Sequence, residues 1–138
     1  MNYWLLKSEP SAYAWSDLLR DGRTHWNGVR NYQAAINLKA MRVGDRAFFY
    51  HSNDGLEIVG VAEILREAYP DPSDESGRFV MVDVAPLFAV PKPVTLREIK
   101  AEPMLANFAL VRQSRLSVVP VTGEEWVVLS RMTGVVIG

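Results

Sequence analysis

The sequence predicts an α+β fold: a mixed β-sheet curled into a small barrel, with short helices closing its ends. Short apolar, β-branched runs recur between turn signals. Helix-capping patterns stand between them at spacings too irregular for βαβ repeats. No GxGxxG or Walker-type glycine loop precedes a helix, which argues against a Rossmann sheet and against the usual cradles for dinucleotides and nucleoside triphosphates. The 138 residues suit one domain spanning 1–138, long enough to bury a core without disulfides or metals.

The elements follow in chain order. Tyr3 to Leu6 is a short aromatic-rich strand, and Lys7-Ser8-Glu9-Pro10 is the loop after it, since proline forces an extended or turning backbone. A brief helix surrounds Trp15 to Leu19 and closes at Asp21-Gly22. Asn31 suits the N-cap of a helix in which Ala34, Ala35, Leu38 and Met41 recur at helical spacing, before Val43-Gly44-Asp45 turns the chain. Ala47 to Tyr50 and Ile58 to Ile64 read as antiparallel strands joined through Asn53-Asp54-Gly55. Tyr69 to Asp74 reads as a proline-rich loop, Phe79 to Val84 as a strand, and Arg115 to Pro120 as a late strand stopped by Pro120. Thr95 with Glu98, and Thr122 with Glu125, form capping boxes that start two helices.

Composition narrows the function. Hydrophobic residues are 49% and charged residues 22% of the chain, an ordinary balance for a soluble protein. No apolar run approaches the roughly 18 residues of a membrane span. The start lacks the basic and long apolar segments of a secretory leader, so the expected location is the cytosol or nucleoid. Without cysteine there are no disulfides, thiolate nucleophiles or cysteine-ligated metals. His25 and His51 are too few for an all-histidine metal site, and neither lies in an HExxH pattern, so no metal or cofactor is expected. A net charge of -1 argues against avid, sequence-blind binding to duplex nucleic acid. The charges are unevenly spread, however: Lys7, Arg23, Arg30, Lys39, Arg42 and Arg46 lie early, and a mostly acidic stretch from Asp54 to Glu75 follows.

The run from His25 to Ala34 brings together an imidazole, an indole, amides, a guanidinium and a phenol around Gly28. That mixture suits a ligand, and the expected ligand is a nucleobase. Trp26 would stack on it, contributing roughly 1 to 3 kcal/mol, against an unstacking cost of a few kcal/mol. Asn31, Ser8 and Ser52 offer edge hydrogen bonds, while Lys7, Arg30 and Arg115 could hold flanking phosphates. Structural roles compete with each assignment. Trp26 could be core, Asn31 only a cap, Arg30 and Arg115 partners of acidic residues, and His51 the end of a strand; Trp4 and Trp15 sit among apolar positions as packing residues. On the ligand reading, Trp26→Ala weakens binding by about 1 to 3 kcal/mol with the fold intact, and Arg115→Ala makes the salt dependence shallower.

Two other classes remain open. A hydrolase would draw on Ser8, Ser52, His25 and His51 with Asp45 or Asp54, but no GxSxG elbow supports it. A binding module for a free nucleoside or an anionic metabolite would use the same pocket, and an uncharged base would bind with little salt dependence.

Six motifs, in order, resemble the EVE-domain family. They are Tyr3 to Pro10, Trp26 to Ala34, Met41 to Asp45, Phe49 to Asn53, Tyr69 to Pro72, and Ser114 to Pro120, and they span nearly the whole chain. The resemblance implies a PUA-like fold, a mixed β pseudo-barrel flanked by short helices and related to the YTH, ASCH and SRA modules that read modified bases in RNA or DNA. It implies that Lys7 and Ser8 lie beside the pocket and that Trp26 stands against the base. His51, Ser52 and Asn53 would form another side, and Ser117 belongs to the last motif. The chain departs from the YTH pattern in having no tryptophan between Trp26 and Trp126, so a three-tryptophan cage does not follow; Tyr32, Tyr50 or Leu116 would cover the second face. The implied role is a non-enzymatic reader of a modified base, in DNA by preference with RNA kept open.

Overall fold

The computed structural model describes residues 1–135. In chain order the elements are β1 (Tyr3–Ser8), α1 (Trp15–Asp21), β2 (Thr24–Trp26), α2 (Tyr32–Ala40), β3 (Arg46–His51), β4 (Glu57–Pro70) and β5 (Val80–Thr95). There follow α3 (Leu96–Ala101), a single 3-10 turn at Pro103–Leu105, α4 (Ala109–Arg112), β6 (Val118–Val121) and α5 (Gly123–Thr133). The strands form one mixed sheet in the order β2-β5-β4-β3-β1-β6. β1 and β3 run parallel, and the other pairs are antiparallel.

The expected caps are in place. Asn31 accepts from the Ala34 N–H at 2.9 Å, and Thr95 and Thr122 each close a capping box with the glutamate three residues on. Gly22 ends α1 at φ 75°, a conformation that costs glycine nothing. The β3–β4 hairpin turns through Asn53 and Gly55, both at positive φ.

Four expectations need correction, and edge position explains three of them. The last strand starts at Val118, not Arg115, and Pro120 does not stop it, since β6 continues to Val121; β6 is an edge strand paired only with β1, so its outer side needs no N–H. β5 runs on from Val84 to Thr95 through Pro86, Pro91 and Pro93. β2 covers β5 only from Val82 to Val84, so the outer edge beyond lies free and tolerates proline. The loop expected from Tyr69 begins only at Asp71, because β4 extends to Pro70 at the end of its pairing with β5. Finally, Thr24 to Trp26, inside the run read as turn-like, is a short edge strand, made by pairing with β5 rather than by any local pattern.

β3 lies inside the sheet and is buried on both faces, as its unbroken Ala47-Phe48-Phe49-Tyr50 run requires. On one face Phe48 stacks on Trp126 at 4.2 Å between ring centroids, and Trp126 stacks on Tyr3 at 4.4 Å. On the other, Phe49 takes the edges of Trp15 and Trp26 at 5.4 and 5.6 Å. Gly60, opposite Phe49, makes room for Trp15: a Cβ there would stand 2.5 Å from the indole.

β2 and β6 are the two edges of the sheet, yet Trp26 of β2 and Ser117, just before β6, line one cleft. The sheet has rolled until its edges approach. The cleft sits at the seam.

Candidate functional site

Parallel pairing of β1 with β3 brings their C-terminal ends side by side, with Lys7 beside Tyr50 and Ser8 beside His51. The Lys7 N–H donates to the Ser117 carbonyl at 3.0 Å, and the Ser52 N–H to the Ser8 carbonyl at 3.0 Å. These bonds fix the floor of the seam.

The cleft has a volume of about 470 Å³. Trp26, Tyr13 and the His25 imidazole are its aromatic lining, Ser8, Thr24, Asn27 and Ser117 its uncharged polar groups, and Lys7 and Glu9 its charges. Trp26 is held edge-on by Phe49 and is only 8% exposed, so it serves both core and cleft. A second lobe of about 460 Å³ adjoins through shared residues Lys7, Glu9 and Ser117, and takes in Tyr50, Ser52, Asn53 and Arg115. The expected site residues Lys7, Ser8, Trp26, Tyr50, Ser52, Asn53, Ser117 and Arg115 therefore share one two-lobed groove.

The other expected residues lie elsewhere. Asn31 caps α2 and, with Leu116, borders a third, shallower hollow that meets the second lobe at Ser114 and Arg115. Tyr32 is exposed and packs over Phe79 at 5.3 Å, away from both lobes. The His51 Nε2 accepts from the Trp15 N–H at 3.0 Å and orients α1. Burial lowers its pKa more than nearby Glu57 raises it, which keeps the ring neutral to suit that acceptor role. Arg30 is tied to Asp71 at 3.2 Å and to Ser73 at 2.9 Å.

Asp71 is the residue that sequence reasoning placed only in a turn. It is 2% exposed, and its carboxylate accepts from the Gly28 N–H at 2.8 Å, from Arg30, and from the Ser73 N–H and hydroxyl at 2.8 and 2.6 Å. Burial opposes its ionisation, but these donors outweigh burial and hold its pKa at about 2. Through Gly28, Asp71 fixes the loop that follows Trp26. Tyr13 was also missed: it reaches the cleft because the Glu9 carbonyl folds the chain back, accepting from the Ala12 and Tyr13 N–H groups at 2.9 and 2.8 Å. Proline at position 10 was the available signal.

The early cations do not form one free patch. Arg23 pairs with buried Asp83 at 2.9 Å, beside His25 Nδ1 at 2.9 Å and the Tyr69 hydroxyl, and Arg20 pairs with Asp17 and Asp21. Lys7 donates to the Ser114 carbonyl at 2.9 Å, and burial lowers its pKa. The groups required for a hydrolytic triad are likewise engaged elsewhere: Ser8 donates to the Tyr13 carbonyl, His51 serves Trp15, and Asp45 accepts from the Trp4 indole and the Asn2 and Arg42 amides. Among the described residues, no cluster of His, Asp and Glu is placed to hold a metal, and no helix is long and apolar enough to cross a membrane.

The fold has close counterparts. The NMR structure of a Rhodopseudomonas palustris protein superposes with a TM-score of 0.93 at 54% identity, covering 100% of this chain and 97% of that one. The crystal structure of human THYN1 in complex with 5-methylcytosine-containing DNA matches at a TM-score of 0.90 and 34% identity, over 96% of this chain and 98% of that one. Chicken thymocyte nuclear protein 1 is 36% identical over 90% of this chain, and the chain spans 65% of that relative's length. A YTH domain of Zygosaccharomyces rouxii shares the fold at a TM-score of 0.61 and 17% identity, covering 96% of this chain and 86% of that one. The EVE-domain family model matches residues 2–132. With its mixed sheet, its seam and its sequence in agreement, the chain belongs to the EVE-domain family.

Proposed function

We propose that this protein is a non-enzymatic reader of a modified nucleobase in nucleic acid, with 5-methylcytosine in DNA as the ligand. The observation that carries the reading is the seam cleft: about 470 Å³, bordered by Trp26, in a family whose human member was solved with 5-methylcytosine-containing DNA. That volume lies within the roughly 300 to 1,000 Å³ usual for small-ligand pockets. The exposed part of Trp26, with Tyr13, gives an extruded base a surface to stack on. Ser8, Asn27 and Ser117 supply edge partners; the Ser8 hydroxyl already donates to Tyr13 and so meets a ligand as an acceptor. The engagement of Ser8, His51 and Asp45 in structural bonds supports binding over hydrolysis.

The test is equilibrium binding to matched oligonucleotides, single and double stranded, carrying cytosine, 5-methylcytosine, 5-hydroxymethylcytosine, adenine or N6-methyladenine at one position. Tightest binding to 5-methylcytosine is expected, with affinity that falls as salt rises. Equal binding to all of them contradicts base reading. Binding to free nucleosides but to no oligonucleotide, with little salt dependence, would instead establish the small-ligand module.

A further inference from the structure

We propose that the second lobe is a subsite for the nucleotide that flanks the modified base, so that the protein reads a two-nucleotide step rather than an isolated base. This rests on the reader function above and concerns the same groove. The two lobes share Lys7, Glu9 and Ser117, so a ligand in one continues into the other without crossing a ridge of unrelated residues. Each lobe is large enough for one nucleotide unit, at about 470 and 460 Å³.

The chemistry of the second lobe differs from that of the first. Leu56, Leu96, Leu110 and Val111 give it an apolar side, suited to a sugar or base face. Its cations come from separate elements: Lys7 from β1, Lys100 from the last turn of α3, and Arg115 from the segment between α4 and β6. One carboxylate, Glu9, faces them. In a chain of net charge -1, that is a local excess of positive charge. Lys100 and Arg115 are exposed and make no ion pair or side-chain hydrogen bond among the described residues, whereas Arg20, Arg23 and Arg30 are all paired.

Tyr50 adds an independent pointer. It is 2% exposed, yet it lines this lobe, and its hydroxyl has no hydrogen-bond partner among the described residues. Its ring is buried while the hydroxyl opens on the lobe, an apolar body with a polar tip left for a ligand. A sugar or phosphate oxygen of the flanking nucleotide would pair with it here. The subsite thus offers one unpaired hydroxyl, two free cations and an apolar side to a phosphodiester-linked neighbour.

The test uses nitrogen-15 amide spectra of the whole chain titrated with 5-methyl-2′-deoxycytidine, then with its 5′- and 3′-monophosphates, then with the two dinucleotides that join it to thymidine. The nucleoside is expected to shift amides at Ser8 and at Trp26 to Val29. One dinucleotide should also shift Leu96 to Lys100 and Ser114 to Ser117, and bind about tenfold tighter than the nucleoside. Combining Lys100→Gln with Arg115→Gln should abolish that gain and leave nucleoside affinity unchanged. A dinucleotide no tighter than the nucleoside, or a gain that survives in the double variant, would overturn the subsite while leaving the reader function standing. A nucleoside and dinucleotides that shift no amide in either lobe would overturn both.

Discussion

At the scale of single residues, the structure changes what Trp26 can be asked. The sequence reading expected Trp26→Ala to spare the fold. Since the indole is 8% exposed and rests on Phe49, that substitution opens a cavity and costs the fold about 3 to 5 kcal/mol. Trp26→Phe keeps an aromatic edge on Phe49 and removes part of the stacking surface, so it is the cleaner probe. Asp71 carries the second residue-level prediction. Asp71→Ala strands the Gly28 N–H and Arg30 together, and we expect a loss of about 2 to 3 kcal/mol by chemical denaturation; Arg30 retains 40% of its side chain in solvent, which keeps the cost below that of a fully buried pair. An unchanged denaturation midpoint would show that the loop after Trp26 is held by other contacts. Trp26 was legible because its polar neighbours stand beside it in sequence. Asp71 was not, because Gly28 and Arg30, which it ties down, lie more than forty positions away.

At the scale of elements, α1 is fastened to the sheet through Trp15. Gly60→Ala would push a methyl group to 2.5 Å from the indole, and we expect destabilisation of about 1 to 3 kcal/mol or more, read as a lower melting temperature. A variant as stable as the wild type would mean that Trp15 moves freely. His51 gives the same junction a pH dependence. Its folded pKa lies below the ordinary 6.5, so the unfolded chain binds the proton more readily. Its contribution is therefore complete above pH 6.5 and is lost as pH falls through the lowered folded value. Melting temperatures measured from about pH 7.5 to 5.5 should fall for the wild type and fall less for His51→Gln; parallel curves would remove His51 from the junction. Asp71 and Asp74, both held at about 2, act further down. Their stabilisation is complete above about pH 3.8 and is lost as pH falls toward 2.

The same scale shows which elements the sequence could announce. Caps and apolar periodicity are local, and they placed α1, α2, α3, α5 and the β3–β4 hairpin. The strand β2, the continuation of β5 and the persistence of β6 through Pro120 depend on which edge of a strand is paired. That is a property of the assembled sheet, and no window of sequence contains it.

At the scale of the molecule, rolling the sheet turns two edges into a site. The seam collects Lys7 and Ser8 from β1, Trp26 from β2, and Ser117 from the approach to β6. Asn31 and Leu116 border the hollow next to its second lobe, and Tyr32, His51 and Arg30 have roles outside the groove. The sequence grouped Lys7, Ser8, Trp26, Ser52, Asn53 and Ser117 with Asn31, Tyr32 and Leu116; only the packed sheet sorts the groove's lining from those neighbours. With few free cations around the groove, binding should be modest and selective, not avid and sequence-blind. The decisive measurement is a calorimetric titration of one single-stranded oligonucleotide, with cytosine or 5-methylcytosine at its centre, into the wild type and Trp26→Phe. A buried methyl group contributes about 0.8 kcal/mol, so the methylated strand should bind about fourfold tighter or more, and the difference should shrink in the folded variant. Equal affinity for the two strands, or a preference that Trp26→Phe leaves untouched, would contradict a base held at the seam.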